Sequence, residues 1–376
     1  MKKKEDWLDI FRNDPAKKNE ILENLEKTSG PLEYRTYLIL DELGYHPSRT
    51  IYEGVDKDGE EVLRDLDLRG FKNGFHSYSK DGLDIWFNIE LIVECKSPRD
   101  TDLIAFEIPE KQMGNTPIRF PLFVNGRHLG FKLDQHYLRG FDEIFGLDAY
   151  SNNVKPAKKN ELLESGKGAP ITKEKDGEGK ERDIVYSGFE QLLRGASVWI
   201  EKTYHAMVRS EYNTTAIEFG KFELIDDYNN RQKLITEKIN SVSIPDMHIN
   251  VNLMIPVLVV GKNTRLLKPV WNGRDITDFK EIDCVLYTAN PAKFKNVSRI
   301  IEDRYFGQIL ICNEEKLNET ILKLEKGMHS LINDKVIKNL DKRRMVVEIL
   351  NDVYDPKSLF NSRGDTANFR KKYLVE

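Results

Sequence analysis

The segment Glu90-Leu-Ile-Val-Glu94-Cys95-Lys96 sets a carboxylate and an ammonium two residues apart at the end of an otherwise apolar run. In an extended strand, side chains two apart share a face. Glu94 and Lys96 therefore stand together, while Leu91, Val93 and Cys95 face the other way. Desolvating such a pair at a sheet end is costly unless the groups pair or serve a site. An edge-strand ion pair is the plainer explanation, because Glu-x-Lys is a common tripeptide. Metal-assisted phosphodiester cleavage is the sharper one. It needs at least two carboxylates to hold Mg2+ and a further group to orient or activate water.

A second acid must then lie across from Glu94. Opposed residues of a hairpin have a constant index sum, so each candidate dictates a turn. Asp67 opposite Glu94 centres the turn on Lys80-Asp81, directly before Gly82, which is good turn chemistry. Asp84 opposite Glu94 centres it within Asn88-Ile89-Glu90, with a β-branched residue in the middle. The first register also sets Leu66 against Cys95 and Leu68 against Val93 on one apolar face. Asp67 is the favoured acid and Asp84 the alternative. Strands this long need relief, and Asn73-Gly74 is where a bulge or loop is expected.

The elements around these residues follow from periodicity and turn signals. Residues 5–27 read as an amphipathic helix broken at Asp14-Pro15. Ser29-Gly30-Pro31 opens a second helix, with Ser29 as N-cap and Gly44 as the residue that ends it. Strands are expected from 50 to 96 and over 102–108, while 109–150 shows no assignable pattern. The stretch 151–183 is charged and Gly-rich and reads as a flexible insertion. A helix follows at 185–209, then strands at 250–260, 282–288 and 306–312, a helix at 314–332 and a basic tail. Strands alternating with helices indicate an α/β sheet.

Composition excludes more than it assigns. Lys and Arg number 58 against 62 Asp and Glu, a net charge of −4, which argues against a globally basic binder but not against a locally basic cleft. No apolar stretch approaches the ~20 residues that a membrane helix needs, and no secretory signal is expected at the start. Three scattered cysteines make neither a disulfide framework nor a zinc site, which fits a reducing, cytoplasmic setting. Histidine spacing of the zinc type, a P-loop and a GxSxG elbow are all lacking.

Taken together, the helix with an early acid (Glu33), the context Leu63-Arg64-Asp65-Leu66-Asp67-Leu68 and the strand ending Ile92-Val93-Glu94-Cys95-Lys96-Ser97 resemble the PD-(D/E)xK nuclease superfamily. The proline usual before the first acid is replaced by Leu66. The resemblance implies a restriction-endonuclease-like α/β core of helix, antiparallel strand meander, helix and further strands, with large insertions. On that plan 1–29 is a helical appendage and 30–150 the part of the core with the catalytic strands. The charged insertion spans 151–183, 184–335 completes the core, and 336–376 is a helical, basic tail. Asp67, Glu94 and the backbone carbonyl of Cys95 would ligate Mg2+ or Mn2+, and Lys96 would position or deprotonate the attacking water. Glu33 would assist through water, and Gln191 would face the site. The implied partner is DNA, with a second subunit or a partner protein of a defence system, and no membrane. An RNA substrate and a catalytically inactive DNA-binding or assembly module are the alternatives.

Overall fold

The apolar run that ends at Glu94 becomes a strand buried on both faces, and the rest of the molecule is arranged around it. The computed structural model describes residues 14–26, 28–55, 61–80, 83–98, 101–107, 121–124, 127–130, 150–158, 174–175, 181–182, 187–196, 225, 227–241, 247–288, 308–331 and 333. In chain order the helices are α1 (Pro15–Glu26), α2 (Ser29–Glu42), α3 (187–196), α4 (Tyr228–Ser241) and α5 (Leu317–Leu331). The strands are β1 (Ser48–Val55), β2 (Glu61–Lys80), β3 (Leu83–Lys96), β4 (Thr101–Glu107), β5 (Pro121–Val124), β6 (Arg127–Gly130) and β7 (Tyr150–Lys158). They continue with β8 (Glu174–Lys175), β9 (Glu181–Arg182), β10 (Met247–Val260), β11 (Leu266–Asn272), β12 (Asp275–Ile282), β13 (Cys284–Thr288) and β14 (Gln308–Asn313).

Local chemistry explains the first boundaries. Asp14 caps α1 by accepting from the backbone N–H of Ala16 and Lys17 at 3.1 Å each, with Pro15 in the first turn. The N-cap of α2 is Thr28, one residue before the expected Ser29, and its hydroxyl donates to the Leu25 carbonyl of α1. At the other end Gly44, with φ of 79°, donates to Asp41 and Tyr45 donates to Leu40, so the chain leaves α2 through a Schellman turn.

One mixed sheet runs β1-β2-β3-β10-β14-β13-β7-β4-β11-β12, with the β5–β6 hairpin attached to β10. β1, β2 and β3 form an antiparallel meander, and β10 lies parallel to β3 from Met247–Leu83 to Val260–Lys96. β14 is parallel to β10 in turn, so the carboxyl ends of three strands gather at one edge. The expected hairpin register holds from Leu68–Val93 to Lys72–Ile89, and slips between Lys72 and His76, around Asn73-Gly74 as expected. The slip lets Lys80 pair with Leu83, so the hairpin closes one residue later than the arithmetic centred it.

Helices cover both faces. Leu32 and Leu40 of α2, with Leu317, Ile321, Leu324 and Met328 of α5, cluster with Leu91, Val93, Ile255 and Val257. On the opposite face Phe189, Leu192, Leu193 and Ala196 of α3 cluster with Ile92, Met254, Leu258 and Val260. Strands covered on both sides must be apolar throughout, hence the unbroken Leu-Ile-Val runs. Among the described residues no helix is long and apolar enough to cross a membrane.

Two expectations are corrected. Leu66 joins the α3 side while Leu68 joins the α2 side, so the two do not share a face. Residues 151–158, assigned to the flexible insertion, belong to strand β7 (Tyr150–Lys158), paired with β4 and β13 and burying Ser151 and Ala157. Its polar sequence misleads because both neighbours supply the ladder bonds and only alternate side chains need be apolar. The expected helix at 185–209 is seen over 187–196. Its remainder, residues 1–13 and the tail from 336 lie outside the described residues.

α3 can lie against β2 and β3 because it presents Gly188 and Gly195, seven residues apart on one face. A Cβ at Gly195 would stand 2.7 Å from both methyl carbons of Leu66, and one at Gly188 would stand 3.2 Å from Lys96 Cγ. Replacing Gly195 by Val is expected to destabilise the fold by about 1–3 kcal/mol in urea titrations. Shortening Leu66 to Ala in the same chain should recover part of that loss. Simple additivity of the two changes would show that this contact is not the cause.

Candidate functional site

At Asp67 the β1–β2 ladder slips. Ser48 pairs with Arg69 and Thr50 with Leu66, so Arg49 alone opposes Asp67 and Leu68. This is a β-bulge, the device that re-aims a side chain within a strand. It turns Leu66 to the other face and brings the Asp67 carboxylate across to β3, where Oδ2 accepts the Cys95 N–H at 2.7 Å.

Glu94 is 1% exposed. Its Oε1 accepts from Lys96 Nζ, and its Oε2 is a buried oxygen with no hydrogen-bond partner among the described residues. The Lys96 stem runs beneath Gly188, so the ammonium is held from above by α3 and from the side by Glu94. Glu33 enters from α2, with Oε2 3.1 Å from Arg49 Nη2. One turn further along α2, Thr36 is fully buried and accepts from Cys95 Sγ at 3.6 Å, docking the helix on the strand.

Electrostatics tie these groups into one cluster. Burial pushes the Glu94 carboxyl up to about 7; Lys96 opposes the rise, and the charges of Asp67 and Glu33 add to it. Asp67 is also raised, first by burial, against the Cys95 N–H and the Lys96 charge, with Glu33 again adding to the rise. Burial drives the Cys95 thiol far up, so this sulfur is a packing group rather than a nucleophile.

Other expected site residues fall differently. Asp84 lies ten positions before Glu94 on β3, roughly 33 Å away at the rise of a strand. It accepts from Ser79 Oγ near the hairpin end, so the structure does not bring it together with Glu94. Gln191 lies one turn beyond Gly188 and shares its helix face, the face toward Lys96.

Arg49, Thr36 and an adjoining ion network gave no signal in the sequence. Arg35, two residues after Glu33, donates to Glu314 at 2.6 Å and to both oxygens of Glu26 at 2.7 and 2.9 Å. Glu314 also accepts the Lys262 N–H at 3.2 Å, and Ser97 Oγ donates to the Glu26 carbonyl at 3.2 Å. The network ties α1 and α2 to the carboxyl ends of β3, β10 and β14. Its members are 52 to 279 residues apart apart from the Arg35–Glu26 pair, which is why a sequence pattern does not expose it.

Among the described residues no group of three or more His, Cys, Asp or Glu side chains is placed so as to hold a metal ion. Comparison with protein-family models, curated proteins and solved structures returns no match.

The raised carboxyls make stability depend on pH with a definite sign. Between about 4.5 and 7 the folded chain keeps the Glu94 proton that the unfolded chain has released. Folding stability therefore falls as pH rises through that window, by up to about 3 kcal/mol for this group. Asp67 acts in the same direction. Urea midpoints measured without divalent ions should fall between pH 5 and pH 7.5, and Glu94→Gln should flatten the curve. An unchanged slope in the variant would locate the effect elsewhere.

Proposed function

We propose that the chain is a Mg2+- or Mn2+-dependent DNA endonuclease built on a restriction-endonuclease-like core. The observation that carries this reading is the buried, partly unpartnered Glu94 carboxylate, set beside Asp67 and Lys96 in a cluster whose charges do not balance. With its acids ionised, Glu33, Asp67 and Glu94 carry three negative charges against the two positive charges of Lys96 and Arg49. One divalent cation would turn that −1 into +1, which one phosphodiester would neutralise. The order α2, β1-β2-β3, α3, β10, a helix, an antiparallel meander, a helix and a strand, supports the proposed core.

The donor set suits a hard cation. Mg2+ is commonly held by one or two carboxylates, with water and substrate phosphate completing its shell, so a group of three protein ligands is not required. Glu94 Oε2 has no donor among the described residues, and Asp67 supplies the second carboxylate. The Cys95 carbonyl joins them on the strength of the resemblance. When bound, the ion supplies Lewis-acid polarisation of the phosphoryl oxygen.

The chain's own groups do the rest. Lys96, pinned by Glu94 and covered by Gly188, aims its ammonium where the attacking water and the developing phosphorane charge meet. Glu33 accepts from that water, and Gln191 offers a polar group on the covering helix. The water oxygen bonds to phosphorus as the opposite P–O bond breaks. The products are a phosphate monoester and a sugar hydroxyl. A cytoplasmic role in restriction or defence against foreign DNA belongs to the same proposal and rests on the resemblance. So does a cleft completed by a second subunit or partner protein.

Plasmid, linear and single-stranded DNA, with RNA beside them, should be assayed with Mg2+ and with EDTA. Asp67→Ala, Glu94→Ala and Lys96→Ala should each lower cleavage by at least ~10²-fold while circular dichroism stays native. Full activity in E94A sinks the site, and cleavage confined to RNA moves the substrate class. Mg2+ should also raise the melting temperature more at pH 8 than at pH 5.5, because protons compete for the same carboxylates.

A further inference from the structure

We infer that Arg49 is the phosphate-binding residue of this site and that it exchanges Glu33 for an oxygen of the substrate's phosphodiester, an inference that rests on the phosphodiesterase reading above. Arg49 sits at the one position of β1 that faces two residues of β2, one of them Asp67. The β-bulge that delivers Asp67 to β3 thus also sets a guanidinium beside it, and the Arg49 charge acts on the Asp67 carboxyl. The chain reaches this point through His46, whose left-handed backbone (φ of 45°) turns β1 back beside α2, the helix that carries Glu33.

The Arg49–Glu33 pair is lopsided. The Arg49 side chain is 79% exposed and that of Glu33 only 14%. Among the described residues Arg49 forms an ion pair with Glu33 alone, through Nη2, and a guanidinium has five donors in a planar fork. An ion pair so open to water is weak. A phosphate that takes the fork through two parallel hydrogen bonds competes well against it. The other cations nearby are committed: Lys96 to Glu94, Arg35 to Glu26 and Glu314, and Lys262 to Glu26.

The exchange has a chemical consequence. While Arg49 holds Glu33, the carboxylate is engaged. Once a phosphodiester takes Arg49, Glu33 is released next to Asp67 and Glu94, whose affinity for protons its charge already raises. Glu33 then becomes available to accept a hydrogen bond or a proton from the attacking water only when substrate is seated. Binding and activation of the base are coupled through one side chain.

The test is duplex-DNA binding by fluorescence anisotropy across a salt series. The full chain is used with Ca2+ in place of Mg2+, and intact DNA is verified on a gel. Each phosphate contact contributes about −0.9 to the log–log salt slope, so Arg49→Ala should make the slope shallower by about that amount. Arg49→Lys should restore the slope while single-turnover cleavage in Mg2+ stays depressed, because one ammonium cannot replace the fork. Circular dichroism of both variants should stay native, and Arg49→Lys, which keeps the charge, should keep the parent's melting temperature. Wild-type binding with an unchanged R49A slope overturns the role of Arg49 and leaves the nuclease reading standing. Failure of the wild-type chain both to bind and to cut DNA takes down that reading and this inference with it.

Discussion

A carboxylate almost wholly removed from water, with one oxygen on an ammonium and the other on nothing, opposes folding at neutral pH. Glu94 is in that position, and its carboxyl is pushed up to about 7. Leaving such a group buried costs several kcal/mol unless a partner arrives. The surrounding structure holds it there regardless. β3 is pinned on both edges by β2 and β10, and covered on one face by α2 and α5 and on the other by α3. The apolar packing of β3 against those five elements is what offsets the electrostatic penalty.

The same packing explains why the candidate site sits at one end of the strands. β3, β10 and β14 run parallel, and their carboxyl ends gather Lys96, Gly261 and Asn313 at one edge. Asn313 holds that edge together by donating from its side chain to the Thr264 carbonyl at 2.8 Å and accepting from the Glu315 N–H at 2.9 Å. Arg35, Glu26 and Glu314 then lock α2 onto it. Because α2 carries both Glu33 and Arg35, the same network also fixes where Glu33 points.

Legibility in the sequence varied with the range of the interactions. The β2–β3 register was recoverable from index arithmetic, because a hairpin is local and its turn and bulge residues are chemically marked. The Schellman exit at Gly44 was equally local. Leu66 was misplaced because period-2 alternation assumes an unbroken strand. The bulge at Asp67 arises from the β1 pairing and the Cys95 N–H, neither of which the strand itself announces. β7 was read as an insertion because its polar residues resemble linker composition, while its pairing comes from β4 and β13, distant in sequence.

What the sequence determined alone is therefore the set of strands and helices with strong periodicity, the Glu94-x-Lys96 pair sharing one strand face, and a preference for Asp67 over Asp84 that rested on turn chemistry. These follow from side-chain geometry within a few residues. The tertiary structure alone decided that Asp67 reaches β3 through a bulge, that Glu94 keeps an oxygen without a donor among the described residues, that Gly188 roofs Lys96, and that Arg49 joins Glu33. Each of those depends on backbones brought together from 16 to more than 90 positions apart. Contacts over such separations are set by how layers pack, which no single segment encodes.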